Sequence, residues 1–298
     1  MVTSRAYSGA ADLQRLIDFL SAERQRNPMQ RWHIGDLIWR MFYSSKFDPV
    51  ANVRLWEENG AVIGFGWLYP PSGADLFPRD LSLLAEMIEW AQGHSQEGEF
   101  YAVALDSNHV ESAYYEAQGF QPKPPYGYQL LVSLTERFPL SIQSSTEHVP
   151  FAKLPEGFTI RPLAGVQEAE ARAEAHRLAF GTQNVTDEGY RNLVSYAPIY
   201  DRELDLLVIA PDGRIAAFCL CWLDAVNRVG LVEPVGTHPD FRRLGLARAI
   251  MTEGLRRMRA RGMETALIAA STDNNAAKTL YQSLGFEIEN SERIYLRP

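Results

Sequence analysis

The chain has 298 residues, of which 46% are hydrophobic and 22% charged, and its formal net charge is -8. This length suits roughly two domains with a sizeable core, and the composition is that of an ordinary globular protein. The acidic balance argues against a nucleic-acid binder. With no apolar run of membrane-spanning length and no signal-like apolar opening, a cytoplasmic protein without membrane association is expected.

In chain order, residues 10–24 are amphipathic at helical spacing, with Leu13, Leu16, Ile17 and Leu20 on one face, and a second helix is predicted over 34–42. Two strand-like runs, 52–57 and 61–68, flank Asn59-Gly60, the strongest short hairpin signal. A helix over 81–92, a strand over 100–105, a helix carrying Tyr114 and Tyr115 that stops at Gly119, and a strand over 126–134 complete this half. Residues 135–157 hold Pro139, Pro150 and Pro155 with a Ser/Thr cluster and read as a linker. The pattern then restarts with a strand at 158–162, helices at 167–180 and 187–195, and a hairpin of 204–210 with 215–222. A strand at 265–270, a helix at 275–284 and a strand at 293–296 close the chain. Cys219 and Cys221 share one strand face and read as small buried hydrophobes, not as a disulfide or metal pair. No metal is expected.

The halves repeat: Asn108, Tyr115, Gly119 and Phe120 match Asn274, Tyr281, Gly285 and Phe286 at identical spacing. The expected division is 1–134, a 135–157 linker, and 158–298.

Between hairpin and final strands, the second half carries a stretch that the first lacks. Residues 233–251 read as a strand, a turn marked by Gly236 and Pro239, and a helix with Leu246, Ile250, Met251, Leu255 and Met258 on its apolar face. A helix opening there offers unpaired N–H groups at the positive end of its dipole, a ready phosphate site. Arg242, Arg243 and Arg248 surround it, and Arg256, Arg257, Arg259 and Arg261 follow on the same helix. The glycine spacing fits neither G-x-x-x-x-G-K-[ST] nor G-x-G-x-x-G.

These pieces resemble the GNAT superfamily of N-acetyltransferases. The family's Arg/Gln-x-x-Gly-x-Gly/Ala loop appears as Arg242-Arg243-Leu244-Gly245-Leu246-Ala247, after Val235 to Pro239. Its later Asn-x-x-Ala-x-x-Leu-Tyr motif followed by Gly-Phe appears as Asn274, Ala277, Leu280, Tyr281, Gly285 and Phe286. The first half carries only the later motif and resembles a degenerate copy. The resemblance implies an α/β (α+β) chain of two GNAT-like domains, each a twisted, mixed, mainly antiparallel sheet flanked by helices.

It further implies acetyl-CoA as co-substrate, entering where two strands splay apart. The backbone of Arg243, Leu244, Gly245, Leu246, Ala247 and Arg248 would hold the pyrophosphate. Val235, Gly236 and Thr237 would run along the pantetheine arm, and Asn274 would bond it. The N–H near Val235 would polarise the thioester carbonyl. Tyr281 matches the family's general acid, since a phenol stays protonated at neutral pH. Glu233 is the candidate base, placed by strand alternation on the face of Val235; the position two earlier, which often carries the family's glutamate, is Leu231. His176 and His238 are further candidates, with His238 read rather as bracing the turn. The acceptor is expected to be a small-molecule or peptide amine, and a homodimer is compatible. A non-catalytic acyl-CoA sensor is the competing reading.

Overall fold

A computed structural model describes residues 1–95, 98–138 and 154–297. The first half runs β1 (Val2–Ala6), α1 (Ala10–Arg26), α2 (Ile34–Phe42), the single turn α3 (Pro49–Asn52), β2 (Val53–Glu58), β3 (Ala61–Tyr69), β4 (Gly73–Pro78), α4 (Leu84–Gly93), β5 (Phe100–Leu105), α5 (His109–Ala117), β6 (Gln121–Ser133) and the short α6 (Leu134–Arg137). The second runs β7 (Thr159–Pro162), α7 (Ala169–Phe180), α8 (Asp187–Tyr196), β8 (Asp205–Ile209), β9 (Ile215–Asp224), β10 (Val229–Thr237), α9 (Leu246–Ala260), β11 (Thr265–Ser271), α10 (Asn275–Ser283) and β12 (Glu287–Arg297). Among the described residues no helix is long and apolar enough to cross a membrane. Most of the linker assigned to 135–157 lies outside the described residues.

Local chemistry explains most boundaries. Asn59 and Gly60 both take positive φ, 50° and 79°, which is the turn that matches strand twist in a tight hairpin. A reciprocal cap starts α2: the Gly35 N–H donates to His33 Nδ1 at 2.9 Å, and the His33 N–H donates to Asp36 Oδ2 at 2.7 Å. Thr186 caps α8 by accepting from the Gly189 N–H at 3.0 Å. The repeated motif folds alike in both halves. Gly119 and Gly285 take φ 85° and 91°, and Phe120 and Phe286 donate back to the carbonyls of Tyr115 and Tyr281.

Among the described residues twelve strands form one sheet, in the order β1-β2-β3-β4-β5-β12-β6-β11-β10-β9-β8-β7, and of its pairs only β4/β5 and β10/β11 are parallel. The two halves join edge to edge by exchanging their last strands. The final strand, β12, pairs with β5 of the first half, and β6 of the first half pairs with β11 of the second. The two exchanged strands also pair with each other.

The core follows this symmetry. One face carries a continuous apolar layer drawn from both halves, including Leu16, Leu37, Trp67, Tyr190, Phe218 and Trp222. The other face is divided into a layer under α9 and α10 and a layer under α4 and α5. Cys219 and Cys221 are buried in the α9 layer as free thiols, 3.7 Å apart.

Two glycines let the halves approach. A Cβ on Gly35 of α2 would lie 2.4 Å from Trp222 Cγ, and one on Gly189 of α8 would lie 2.6 Å from the Tyr43 carbonyl oxygen. Replacing a helical glycine by alanine ordinarily stabilises a helix by about 1 kcal/mol, whereas forcing a methyl into a filled contact costs about 1–3 kcal/mol. At Gly35 the clash is with the Trp222 ring root, so the second effect wins. Gly35→Ala is expected to lower the melting temperature; a raised melting temperature would refute this packing.

Candidate active site

The site is built where β10 leaves β11. These parallel strands pair at only three positions, Val229–Thr265, Gly230–Ala266 and Leu231–Leu267. Beyond them β10 continues along β9 as far as Thr237, and β11 continues along β6 as far as Ser271. Each strand is held by its outer neighbour while the two diverge, so their inner backbone groups face a gap. β10 also carries a bulge, because one residue more is used between Val232 and Val235 than between Cys221 and Cys219 opposite. The Trp222 indole pins the bulge by donating from Nε1 to the Glu233 carbonyl at 2.7 Å.

The bulge corrects the alternation argument for Glu233. Val235 packs with the α9 layer, but Glu233 lines a cavity on the opposite face with Trp39, Tyr43 and His176. The inserted residue breaks the period of two that would have kept the side chains together.

At the end of β10, His238 braces the turn by accepting the Asp240 N–H on Nδ1 at 3.2 Å. Arg243 and Gly245 adopt left-handed φ of 69° and 76°, a conformation that costs a residue other than glycine about 1–2 kcal/mol. Helix α9 starts at Leu246 behind Gly245, which has no side chain to cap it. The amides of Leu246, Ala247 and Arg248 lack intrahelical acceptors by the geometry of any helix start and point outward at the positive dipole end. The helix sits close on the sheet: a Cβ on Gly254 would lie 2.9 Å from Cys221 Sγ, and one on Gly230 2.5 Å from Met258 Sδ.

The arginines expected to gather here do not all do so. Arg256 and Arg257 pair with Glu253, and Arg261 with Asp201, so carboxylates already engage that end of α9. At the turn end, Arg242 donates to the Ala179 carbonyl at 3.0 Å and Arg248 to the Ser283 carbonyl at 3.2 Å. Arg248 thereby ties α9 to α10.

Asn274 caps α10, accepting the Ala277 N–H at 3.0 Å. Two turns on from Asn274, Tyr281 is 7% exposed, and burial, with the Glu233 carboxylate second, holds its phenol well above the ordinary range. The counterpart in the first half differs at two motif positions, one of them Tyr114 in place of Leu280. Glu111 stands where the second half has Ala277, accepting from Asn108 Nδ2 at 2.7 Å and from the Tyr115 hydroxyl at 3.1 Å. Tyr115 is fully buried and bound to that carboxylate.

The first half also has a short parallel pair, Gly73–Tyr101 and Ala74–Ala102. The turn after β4, however, is closed by Asp80, whose carboxylate accepts the Ser82 N–H at 2.8 Å. A carboxylate thus fills the helix start that glycine leaves open in the second half.

Around Glu233 the charges come from distant segments. Its pKa is pushed up to about 7, first by burial and then by Asp36, with Arg40 opposing. Asp36 is raised to about 6 by burial, again against Arg40. His176 is lowered to about 3 by burial and by Arg172 and Arg177. Arg40 lines two cavities: one of about 380 Å³ beside Glu233, and one of about 280 Å³ in the seam between halves with Asp36, Asp75, Gln129, Leu231 and Glu292. Asp36, Arg40 and Glu292 carry no motif. Asp36 and Arg40 belong to the half that lacks a glycine turn, and Glu292 lies on the exchanged strand β12.

Residues 170–286 match the Acetyltransferase (GNAT) family. A mycothiol acetyltransferase of Paenarthrobacter aurescens is 28% identical over 172 residues, covering 54% of this chain and 52% of that protein. One from Streptomyces avermitilis is 30% identical over 149 residues, covering 48% and 47%. The chain spans about half the length of the curated relatives it matches. A tandem GNAT protein from the clavulanic acid biosynthesis pathway superposes over 100% of this chain and 98% of its own, with TM-score 0.69 and 14% identity. A GCN5-related N-acetyltransferase from Sphaerobacter thermophilus covers 99% and 95% with TM-score 0.63 and 18% identity. A GNAT acetyltransferase domain, open at the β10/β11 gap, therefore occupies residues 170–286 of a chain whose whole fold is that of tandem GNAT proteins.

Proposed function

We propose that the chain transfers an acetyl group from acetyl-CoA to a primary amine of a small molecule or peptide, at one site in residues 158–298, in the cytoplasm. The observation that carries this reading is the β10/β11 gap, which ends on the uncapped start of α9 and has Glu233 near enough to raise the Tyr281 phenol further. Residues 1–134 are then a degenerate copy that supplies the acceptor wall through α2. Its own helix start carries Asp80, and its tyrosine is held by Glu111.

The roles follow from chemistry at each position. The amides from Arg243 to Arg248 hold the pyrophosphate, and Arg242 adds charge beside them. Val235, Gly236 and Thr237 offer backbone groups to the pantetheine arm, Asn274 bonds it, and the Val235 N–H faces the carbonyl oxygen as negative charge develops on it. An acceptor arriving as ammonium loses a proton to Glu233, whose raised pKa matches neutral operation. The free amine attacks the thioester carbon, a C–N bond forms, the C–S bond breaks, the departing thiolate takes the Tyr281 proton, and the second proton shed by the amide nitrogen restores the phenol through solvent. A phenol raised by burial remains fully protonated for that task.

Glu233→Gln is expected to lower kcat/KM by about 10²–10⁴-fold. In the parent, kcat/KM should fall about tenfold per pH unit below about pH 7, as the base becomes protonated; in the variant this acid limb should vanish. A limb unchanged in the variant would remove Glu233 from the base role. Tyr281→Phe should cost turnover by a similar factor while acetyl-CoA still binds by calorimetry. Turnover at parental rates would rule out Tyr281 as the acid.

Linkage makes a separate demand. The folded Glu233 pKa lies above its unfolded value, so its contribution to stability declines as pH rises from the ordinary carboxyl value of 4.5 through about 7. Glu233→Gln removes that decline. The melting-temperature advantage of the variant should therefore grow between about pH 5 and pH 8 and then level off. A constant difference across that range would contradict the shift.

A further inference from the structure

The class of amine is not fixed by the acyl-transfer reading, and the wall of the cavity beside Glu233 bears on it. Four rings run in sequence along that wall. Tyr43 and Trp39, at the end of α2, stack with centroids 5.7 Å apart and planes 22° apart. Trp39 then meets His176 at 5.5 Å, and His176 meets Phe180 at 4.5 Å, both on α7. All four line the cavity of about 380 Å³ that holds Glu233, a volume within the usual range of small-molecule sites.

Two features distinguish this wall from core packing. Phe180 is 52% exposed, so the row of rings ends at the mouth of the cavity. His176 is 8% exposed, and its Nδ1 is buried with no hydrogen-bond partner among the described residues. Buried polar atoms are ordinarily paired, and leaving one unpaired is costly unless something that enters the cavity pairs it. The ring is neutral at neutral pH, because burial and the neighbouring Arg172 and Arg177 disfavour its charged form. It therefore offers a hydrogen bond without adding a positive charge that would repel an ammonium.

We propose that this row of rings is the acceptor subsite and that it selects arylalkylamines, primary amines joined by a short alkyl chain to a flat aromatic group. The inference rests on the acyl-transfer reading of Glu233. The acceptor's ring meets the edges and faces of Trp39 and Phe180, where aromatic pairs gain beyond simple burial. Its ammonium is drawn by the ring faces and by the Glu233 carboxylate, against the Arg40 guanidinium that lines the same cavity.

The test compares 2-phenylethylamine with ethanolamine in steady-state acetyl transfer, using the parent and Phe180→Ala. The parent is expected to favour 2-phenylethylamine by about tenfold or more in kcat/KM, the scale of discrimination a hydrophobic pocket achieves. Phe180→Ala should close most of that gap through KM, with kcat nearly retained. Equal kcat/KM for the two amines in the parent, or a ratio unmoved by Phe180→Ala, overturns the subsite. Calorimetric titration with 2-phenylethylamine separates the two readings. Binding that Phe180→Ala weakens, with no amine turned over, sustains the subsite and sinks acyl transfer. Turnover of ethanolamine with no 2-phenylethylamine binding does the reverse.

Discussion

Everything proposed for the second half depends on two parallel strands that pair for three residues and then part. A parallel ladder normally satisfies the backbone on both sides of each strand. Here β10 and β11 keep their outer partners and give up each other, which exposes a short length of unpaired backbone in the middle of a twelve-stranded sheet. Such a length is costly unless something else supplies hydrogen bonds. The gap is therefore both the weakest part of the sheet and the part best prepared to receive an extended chain. The uncapped start of α9 lies at its end, and the bulge swings Glu233 to the other face. The gap proposed for the donor and the cavity proposed for the acceptor thus lie on opposite sides of one sheet.

The first half contributes structure to this site in two ways. The exchange of β6 and β12 makes the seam between halves a continuous ladder rather than a docked interface. Close packing at Gly35 and Gly189 sets α2 against β9 and α8. As a result Asp36 and Arg40 reach the neighbourhood of Glu233 from more than 190 residues away in sequence. The same symmetry shows where the halves differ. Besides the glycine turn that the first half lacks, it carries a carboxylate at the helix start, Asp80, and a carboxylate beside the repeated tyrosine, Glu111. Each places negative charge or a filled hydrogen bond where the second half has glycine or alanine.

Much of this was legible in the sequence where the signal is local. The Asn59-Gly60 hairpin, the Thr186 cap, the repeated Asn-to-Gly-Phe motif and the turn before α9 are short-range chemistry, and they fold as read. Strand β1 was missed because its residues, VTSRA, have no apolar alternation on an exposed edge. Strand β4 was missed because it starts in a turn composition and is buried along most of its length. The exchange of strands pairs segments more than a hundred residues apart, which no periodicity records. Glu233 was assigned the wrong face because one inserted residue inverts an alternating pattern, and the only local sign was Pro234, which cannot donate to a ladder. Arg256 and Arg257 of α9 follow the turn in sequence but are engaged by Glu253, three and four residues before them.

In the proposed reaction acetyl-CoA enters the β10/β11 gap and rests on the start of α9. Amide hydrogen exchange with and without acetyl-CoA tests this, because bound backbone groups lose access to solvent. Slowed exchange is expected at Val235 to Thr237 and from Arg243 to Arg248, with residues 73–80 of the first half unchanged. Protection confined to residues 73–80, or to neither region, would contradict it.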